Sequence, residues 1–256
     1  MDILTKDLVS IIMPAYNAED YISEAISCLQ NQTYDFWELV VVDDCSTDGT
    51  SAIIKKIAES DERIKYHVLE SNSGAAVARN VAIENASGEF LAFLDSDDLW
   101  ETNKLEKQIK FMQESDFSFT CTYYGKIDEN SNNLNQTITY ENVADYDELL
   151  RNCPGNSTVI YNAKTLGKFF IPKIRKRNDY VMWLQVIKKS KQLNCLPEVL
   201  SYHRESSGSL SSNKKSLVAY HWKVYREIEK LSIVKSVGLI VYWISKGIVR
   251  RKNVTN

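Results

Sequence analysis

The sequence of 256 residues predicts an α/β fold with a Rossmann-like, mostly parallel sheet, a mixed second half and C-terminal helices. Four apolar runs alternate with helix-like segments over residues 1–115, which is typical of parallel strands joined by helical crossovers. Beyond residue 116 strand-like runs predominate, which favours antiparallel pairing. The segment 216–256 combines basic and apolar residues and is predicted to form helices outside the sheet.

The first half begins with a strand at 8–14, an apolar run rich in β-branched residues that ends at Pro14. Asn17 is a candidate N-cap of the next helix, whose apolar residues recur at helical spacing between Ile22 and Leu29. Further strands are predicted at 38–44, 64–70 and 90–95, and further helices at 51–60, 72–86 and 98–115.

The second half lacks this regular alternation. A chain of this length fits one large domain, or one domain with a small appendage. The elements predicted beyond residue 116 are strands at 117–127, 157–163 and 196–204, a surface loop at 128–136 and a helix at 178–190.

The net charge of −3 conceals a strong asymmetry along the chain. Residues 1–150 contain 10 Lys and Arg against 29 Asp and Glu, whereas residues 151–256 contain 21 against 5. An acidic half suits metal ions, and a basic half suits phosphate groups or an anionic membrane surface. The alternative is that most of these charges form ordinary solvated faces.

Cysteine usage and the N-terminus indicate a cytoplasmic protein. The five cysteines are odd in number and include no CxxC pair, so neither a zinc site nor a disulfide framework is predicted. The first residues, MDILTKDLVS, lack the basic and apolar regions of a signal peptide.

Acidic residues follow two predicted strands, at the edge where parallel sheets bind ligands. Asp43 and Asp44 follow the second strand, and Asp95, Asp97 and Asp98 follow the fourth. Carboxylates this close repel one another, so a positive partner is expected. Asp95 and Asp97 can hold Mg²⁺ or Mn²⁺, which share phosphate oxygens; the alternative is that Asp97 or Asp98 caps the next helix.

Other polar residues near these strand ends leave two interpretations open. Asp44 or Ser46 could cap the following helix, or an aspartate of the Asp43–Asp44 pair could accept hydrogen bonds from a base or ribose. Arg79, on the helix after the third strand, could bind a diphosphate or pair with the carboxylates.

The spacing of motifs disfavours other functional classes. A dinucleotide-dependent dehydrogenase would carry GxGxxG after the first strand, but PAYNAED contains no glycine. A dehalogenase-type phosphatase would carry Asp-x-Asp-x-Thr on its first strand, whereas here the motif follows the fourth strand and Leu99 replaces the threonine. Nucleic-acid binding is disfavoured because the basic half contains no recognition motif.

Two stretches, VSIIMPAYNAEDYISEAISCLQNQTYDFWELVVVDDCSTDGT and SGAAVARNVAIENASGEFLAFLDSDDLW, closely resemble the family 2 glycosyltransferases with the GT-A fold. The resemblance is strong over 7–115 and continues more weakly to about residue 205. The organisation it implies is a GT-A catalytic domain over 1–215, with a nucleotide-sugar half (1–115) and an acceptor half (116–215), and a basic amphipathic helical segment over 216–256.

The resemblance implies roles at matching positions. Asp43 or Asp44 would contact the uracil side of a nucleotide, with Asp44 favoured for the base. Asp95 would lie near the ribose, and Asp97, with Asp95 as a second candidate ligand, would bind the Mn²⁺ or Mg²⁺ that bridges the diphosphate. The set implied for nucleotide-sugar binding is Pro14, Ala15, Tyr16, Asp43, Asp44, Arg79, Asp95, Ser96 and Asp97.

The catalytic base implied by the resemblance is Asp179, in the stretch Asn178-Asp179-Tyr180-Val181-Met182-Trp183-Leu184. Asn178 departs from the glutamate usual in the family, which affects acceptor recognition or the tuning of Asp179. Asp179 could instead be a simple helix N-cap. Three neighbouring cations would favour its ionised form: Arg175, Lys176 and Arg177.

The activity implied is inverting, metal-dependent transfer of one sugar from a nucleotide-diphosphate donor, UDP-hexose or UDP-N-acetylhexosamine, to a saccharide acceptor. The processive Gln-x-x-Arg-Trp motif is missing after Trp183, so one sugar per encounter is expected. The setting implied is bacterial surface polysaccharide biosynthesis, such as O-antigen or capsule, with a lipid-diphosphate-linked acceptor. A non-catalytic nucleotide-sugar-binding module on the same scaffold is the alternative.

The C-terminal part raises two further expectations. Residues 201–215 resemble the family's segment that closes over the nucleotide. His203 could approach the metal or diphosphate, or it could be a loop or strand residue without that role. Arg204 is a weak candidate for phosphate binding. The helical segment 216–256 either lies on the inner face of the cell membrane, making the protein peripheral, or packs on the domain or in a homodimer.

Overall fold

The computed structural model describes residues 4–172, 178–205 and 214–252, without the side chains of 214–216 and 246–252. The strands are β1 (Thr5–Ala15), β2 (Trp37–Asp43), β3 (Ile64–Val68), β4 (Gly88–Phe93), β5 (Leu99–Trp100), β6 (Phe119–Ile127), β7 (Asn133–Ile138), β8 (Val143–Ala144), β9 (Ile160–Asn162) and β10 (Leu193–Arg204). The helices are α1 (Ile22–Gln30), α2 (Thr50–Ala58), α3 (Ala75–Asn85), α4 (Lys104–Glu114), α5 (Tyr146–Arg151), α6 (Ala163–Leu166), α7 (Asn178–Ser190), α8 (Lys214–Lys223) and α9 (Ile233–Lys252).

The strands form one mixed sheet in the order β3-β2-β1-β4-β9-β6-β10-β5, with β7 paired to β6 and β8 to β10. The first four strands of this order are parallel, with Ile11 of β1 between Leu39 of β2 and Ala92 of β4. Strand β9 is antiparallel to both β4 and β6, whereas β10 is parallel to β6. The predicted α/β class, with a parallel first half and a mixed second half, is confirmed.

The central strands are apolar throughout because both faces of the sheet are covered. In β1, Val9, Ile11 and Met13 face a core shared with α1 and α4, whereas Ile12 faces a core shared with α3 and α7. Successive side chains of a strand point to opposite faces, so burial on both sides removes the apolar–polar alternation of a half-exposed strand.

Asn17 is not the cap of α1. It adopts a positive φ of 47°, and its side-chain oxygen accepts a hydrogen bond from the Thr47 backbone amide at 2.9 Å. The residue before α1 is Tyr21, without a side-chain cap. Asn17 therefore joins the loop after β1 to the loop after β2. The spacing of residues around Asn17 could not predict a contact between segments so far apart in the sequence.

Two short strands also differ from the predictions. Leu99 and Trp100 form β5, paired with Tyr202 and Ser201 of β10, and the following helix begins only at Lys104. Strand β7 begins inside the predicted surface loop and extends two residues beyond it, and its polar sequence NLNQTI pairs with β6. Neither strand has the apolar run that identifies a buried strand.

The C-terminal helices pack against α5 and α7. The hydroxyls of Tyr180 and Tyr225 both donate to the Leu150 carbonyl at 3.0 Å, and Lys188 lies 2.6 Å from the Glu229 carboxylate. Within the described ranges, no helix combines the length and apolar character needed to cross a bilayer.

Candidate active site

The predicted site residues of the first half meet at the carboxyl edge of the parallel strands. Pro14 and Ala15 end β1, and Tyr16 follows them with about half of its surface exposed (49%). The Asp44 amide donates to the Ala15 carbonyl at 2.8 Å, so the ends of β1 and β2 are held side by side.

Asp43 is fully buried and is surrounded by hydroxyl and amide donors. One carboxylate oxygen accepts from the Ser46 amide at 2.9 Å and the Ser46 hydroxyl at 2.5 Å. The other accepts from the Tyr66 hydroxyl at 3.1 Å. Asp43 therefore fixes the turn after β2 against β3.

Asp44 organises the turn before α3. Its two carboxylate oxygens accept from the backbone amides of Ser73 and Gly74, each at 2.7 Å. Gly74 has a φ of +91°, a conformation that favours glycine, and it directly precedes the first residue of α3. Helix capping was one of the two interpretations that the sequence left open for Asp44. Its carboxylate does bind backbone amides before a helix, but that helix is α3 and not α2.

Arg79 is buried on α3 and forms an ion pair with Asp95, with 2.6 Å between the guanidinium and carboxylate. The same Asp95 oxygen accepts from the Asn156 side-chain amide at 2.9 Å. Although burial acts to raise it, the charge and hydrogen bond of Arg79 hold the pKa of Asp95 below its usual value. The pairing of Arg79 with a carboxylate, expected as one of two roles, is present.

Asp97 and Asp98 lie in a much less favourable environment. Burial, followed by repulsion from Asp98 and Asp95, raises the pKa of Asp97 to about 7. Burial and the charge of Asp95 likewise raise the pKa of Asp98 to about 7, even though its oxygens accept from the Ser157 hydroxyl at 2.5 Å and the Arg204 amide at 3.1 Å. The predicted like-charge cluster is therefore present after β4, with Ser96 partly exposed between Asp95 and Asp97.

Arg204 holds this loop in place. Its guanidinium donates to the carbonyls of Asp97 and Asp128 at 2.9 and 3.0 Å and forms a 2.8 Å ion pair with Glu24. Because its nitrogens are engaged by protein oxygens, the structure gives Arg204 a structural role instead of the phosphate contact considered from the sequence.

His203 extends the cluster on its β10 side. Its ring stacks on Tyr124 at 3.9 Å, and its Nε2 atom lies 3.6 Å from an Asp98 oxygen, without a hydrogen-bond partner among the described residues. A Cβ at Gly155 would come within 2.4 Å of the ring, so glycine provides the space that the imidazole occupies. Burial lowers the pKa of His203 to about 4, which leaves a neutral imidazole.

Asp179 lies in the first turn of α7, close to the Asp95 group. Its amide donates to the Asn178 side-chain oxygen at 2.7 Å, and Arg79 approaches that oxygen at 3.5 Å. The charge of Asp179 acts, with that of Asp95, to raise the pKa of Arg79 against the effect of burial. Asp179 is therefore brought to the aspartates from a helix more than 80 residues further along the chain. Arg175, Lys176, Arg177 and the segment 206–213 lie outside the described residues.

Asn156 and Ser157 were not identified from the sequence. They form a buried 3₁₀ turn with Thr158, and the Ser157 hydroxyl also accepts from the Asp95 amide at 3.2 Å. The sequence feature that could have identified them is the run of three polar residues between Gly155 and an apolar strand.

The acidic cluster fits a divalent cation that is bound jointly with a ligand. Among the described residues, no three His, Cys, Asp or Glu side chains are arranged to hold a metal by themselves. Mg²⁺ usually binds through one or two carboxylates plus substrate phosphates, so a complete protein cage is not required. Asp95 and Asp97 would supply the oxygen donors, and the buried His203 Nε2, which has no hydrogen-bond partner in the described part of the chain, is a further atom able to act as a ligand.

Comparison with known proteins identifies similar chains. A family model described as "Glycosyl transferase family 2" matches residues 10–172. The Bacillus subtilis protein TuaG, named as a glycosyltransferase of teichuronic acid biosynthesis, is 41% identical over 96% of this chain and 98% of its own length. The Escherichia coli protein WfgD, named UDP-Glc:alpha-D-GlcNAc-diphosphoundecaprenol beta-1,3-glucosyltransferase, is 41% identical over 92% of both chains.

A solved structure is similar over nearly the whole chain. Residues 1–349 of Staphylococcus aureus TarS, crystallised in complex with UDP-GlcNAc, match with a TM-score of 0.72 and 25% identity. The match covers 92% of this chain and 71% of the TarS chain.

Proposed function

Because the chain belongs to glycosyltransferase family 2 and has the GT-A fold, we propose that it is an inverting, metal-dependent transferase that moves one sugar from a nucleotide diphosphate to a saccharide acceptor. The observation that carries the proposal is the juxtaposition of two carboxylate sites from distant parts of the chain. Burial and the charges of Asp98 and Asp95 raise the pKa of Asp97, on the β4 loop. The charge of Asp179, at the start of α7, acts on the arginine of the Arg79–Asp95 pair.

The donor is a UDP-hexose or UDP-N-acetylhexosamine. WfgD is named for UDP-Glc, and TarS was crystallised with UDP-GlcNAc, which supports a uridine nucleotide. Each Asp44 oxygen accepts one backbone hydrogen bond and keeps a second lone pair for the base, whereas one Asp43 oxygen already accepts two hydrogen bonds from Ser46. The residues proposed for donor binding are Pro14, Ala15, Tyr16, Asp43, Asp44, Arg79, Asp95, Ser96 and Asp97.

Asp97, with Asp95, would hold Mn²⁺ or Mg²⁺ together with the diphosphate. The bound cation would offset the negative charge on the leaving nucleotide. Arg79 keeps the Asp95 carboxylate ionised and fixed, so that the β4 loop presents its oxygens without a large rearrangement.

Asp179 acts as the general base. It takes the proton of the acceptor hydroxyl while that oxygen attacks the anomeric carbon. The bond from the anomeric carbon to the diphosphate oxygen breaks on the opposite face, so a single displacement inverts the configuration. No second carboxylate is needed as a nucleophile.

The acceptor is a saccharide, and a lipid-diphosphate-linked one is favoured. The name of WfgD specifies a diphosphoundecaprenol-linked acceptor, and TuaG is named for a cell-surface polymer. We place the protein in bacterial surface polysaccharide synthesis, as a non-processive enzyme that is peripheral at the cytoplasmic face of the membrane. In this proposal 1–115 bind the donor, 116–215 the acceptor, and 216–256 the membrane.

One observation favours the alternative of a non-catalytic nucleotide-sugar-binding module. Asn178 stands where the family resemblance expects glutamate, so the base has a neutral neighbour. Such a module would bind UDP and metal with normal affinity but release no nucleotide in the presence of any acceptor.

A donor screen with the purified chain tests the proposal. UDP-, GDP- and dTDP-sugars are supplied with and without Mn²⁺, and released nucleotide is measured with a saccharide acceptor present. Metal-dependent release from a UDP-sugar is the expected result. UDP binding without release from any donor supports the binding module, and failure to bind any nucleotide diphosphate contradicts both.

A further inference from the structure

Helix α9 carries an apolar stripe on its outer face. Val234, Val237, Val241 and Ile244 recur at steps of three and four residues, which places them on one side of the helix. All four are exposed, and Val234 is 84% exposed. The inner face, with Ser236 and Leu239 buried, packs on the protein, so the stripe is not part of the core.

The segment that carries this stripe contains basic residues and no acidic ones. Residues 230–256 contain six Lys and Arg and no Asp or Glu. Lys235 is paired with Asp147 on α5 at 2.6 Å, and the other five cations are not matched by any acidic residue of their own segment. A surface that covers the stripe therefore lies next to these basic residues, and negative charge on that surface would stabilise the contact.

This charge distribution discriminates between possible occupants. Pairing two copies of α9 along their stripes would bring two cationic segments together without acidic residues between them, and like charges oppose such contact. An anionic bilayer supplies both the apolar layer and the counter-charge, which is the environment of an interfacial amphipathic helix.

The inner face of α9 is connected to the proposed base by packed rings. The Trp243 ring lies 4.9 Å from His221, and His221 lies 5.9 Å from Tyr180, the residue after Asp179. Helix α9 is therefore packed, through His221, against the first turn of α7, the helix that carries Asp179.

We infer that the stripe of Val234, Val237, Val241 and Ile244 docks on an anionic phospholipid surface. The inference deepens the proposed function and rests on it, because a lipid-linked acceptor resides in such a surface. The four apolar residues would make the contact with the lipid acyl region. The basic residues of the segment would contribute electrostatic attraction to the lipid headgroups.

Vesicle sedimentation of the full chain tests this inference. The vesicles contain phosphatidylcholine alone, or phosphatidylcholine and phosphatidylglycerol in a ratio of about two to one. The wild type is expected to sediment with the anionic vesicles only, and less so at high salt, because exposed charges are screened. Val237→Asn combined with Val241→Asn is expected to weaken partitioning by about tenfold or more.

Phe36→Asn is the matched control, because Phe36 is a half-exposed apolar residue just before β2, outside α9 and the helices that pack on it. It is expected to sediment like the wild type. Circular dichroism confirms folding of each variant, and Ile233→Asn combined with Val234→Asn provides a second disruption of the same helix face if the first does not fold.

Three results would overturn the inference: no binding of the wild type to anionic vesicles, unchanged binding by both pairs of asparagine variants, or a dimer in light scattering that the Val237–Val241 variant dissociates. Nucleotide release from a UDP-sugar in solution is measured in parallel and is expected to be unchanged by the variants. A chain that binds vesicles but releases no nucleotide contradicts the proposed activity and leaves the docking surface supported.

Discussion

The two acidic groups at the carboxyl edge of the sheet contain the same side chain in different surroundings. Asp43 and Asp44, after β2, are buried among hydroxyls and backbone amides that donate to all four of their carboxylate oxygens. Of the three carboxylates after β4, Asp95 is ion-paired with Arg79, whereas the pKa values of Asp97 and Asp98 are raised to about 7.

The difference separates carboxylates whose charge is compensated by several protein donors from carboxylates whose charge is largely uncompensated within the described part of the chain. A buried anion with several N–H donors is stabilised by the fold itself. A buried anion beside other anions destabilises the fold until a cation binds, and such groups concentrate at functional sites. We therefore expect substitutions in the two groups to have opposite effects on stability and different effects on activity.

The largest effect is expected at Asp179, the carboxylate that α7 adds to the second group. Asp179→Asn should lower the transfer rate by about 10²–10⁴-fold, because a positioned general base contributes an effect of that size. The Kd for UDP, measured by calorimetry with Mn²⁺, should stay near the wild-type value. A variant that transferred sugar at the normal rate would show that the base lies elsewhere.

Asp97→Asn should have the next largest effect. Metal-dependent nucleotide release is expected to fall by about 10²–10³-fold, since loss of an anionic ligand removes several kcal/mol of charge stabilisation. Asp116→Asn is the control, an exposed carboxylate beyond the last residue of α4. Equal losses in both variants would show that the effect is not specific to the β4 loop.

Stability measurements sharpen the comparison directly. Asp44→Ala should lower the free energy of unfolding by about 1–3 kcal/mol, because the amides of Ser73 and Gly74 lose their acceptor. Asp97→Ala should raise it or leave it unchanged, because repulsion from its neighbours is removed. Urea unfolding without metal measures both, and a destabilised Asp97 variant would contradict the distinction between the groups.

Lys104 tests the effect of a buried charge on stability with a cation instead of a carboxylate. It is fully buried, donates to Gln108, and burial lowers its pKa to about 7. The unfolded chain, with a lysine pKa near its usual value of about 10.4, holds this proton more tightly than the folded chain between those two pH values. The free energy of unfolding should therefore rise by about 1–2 kcal/mol between pH 7 and pH 9.

In Lys104→Met this rise should be absent, because the group that titrates has been removed. Lys110→Met, at an exposed position on the same helix, is the control and should keep the wild-type pH dependence. A rise of equal size in Lys104→Met would assign the pH dependence to other groups.

The sequence was sufficient for the features that depend on local pattern. The parallel strands and their order of appearance follow from apolar runs separated by helical spacing, and the acidic loops follow from the ends of those strands. The contribution of Ser157 and Arg204 to the β4 loop could not be predicted in the same way. Their shared partner, Asp98, lies 59 and 106 residues away, and the pairing of β10 with β5, directly after Asp98, brings Arg204 to the loop.

The replacement of the usual glutamate by Asn178 has a consequence for Arg79. The guanidinium reaches both the Asp95 carboxylate and the Asn178 side-chain oxygen, so it bridges the loop after β4 and the first turn of α7. With a neutral amide at one end of this bridge, Asp179 is the one anion that α7 brings to the guanidinium. A glutamate at position 178 would add a second, whereas the amide leaves the ion pair of Arg79 with Asp95 facing one competing charge from this helix instead of two.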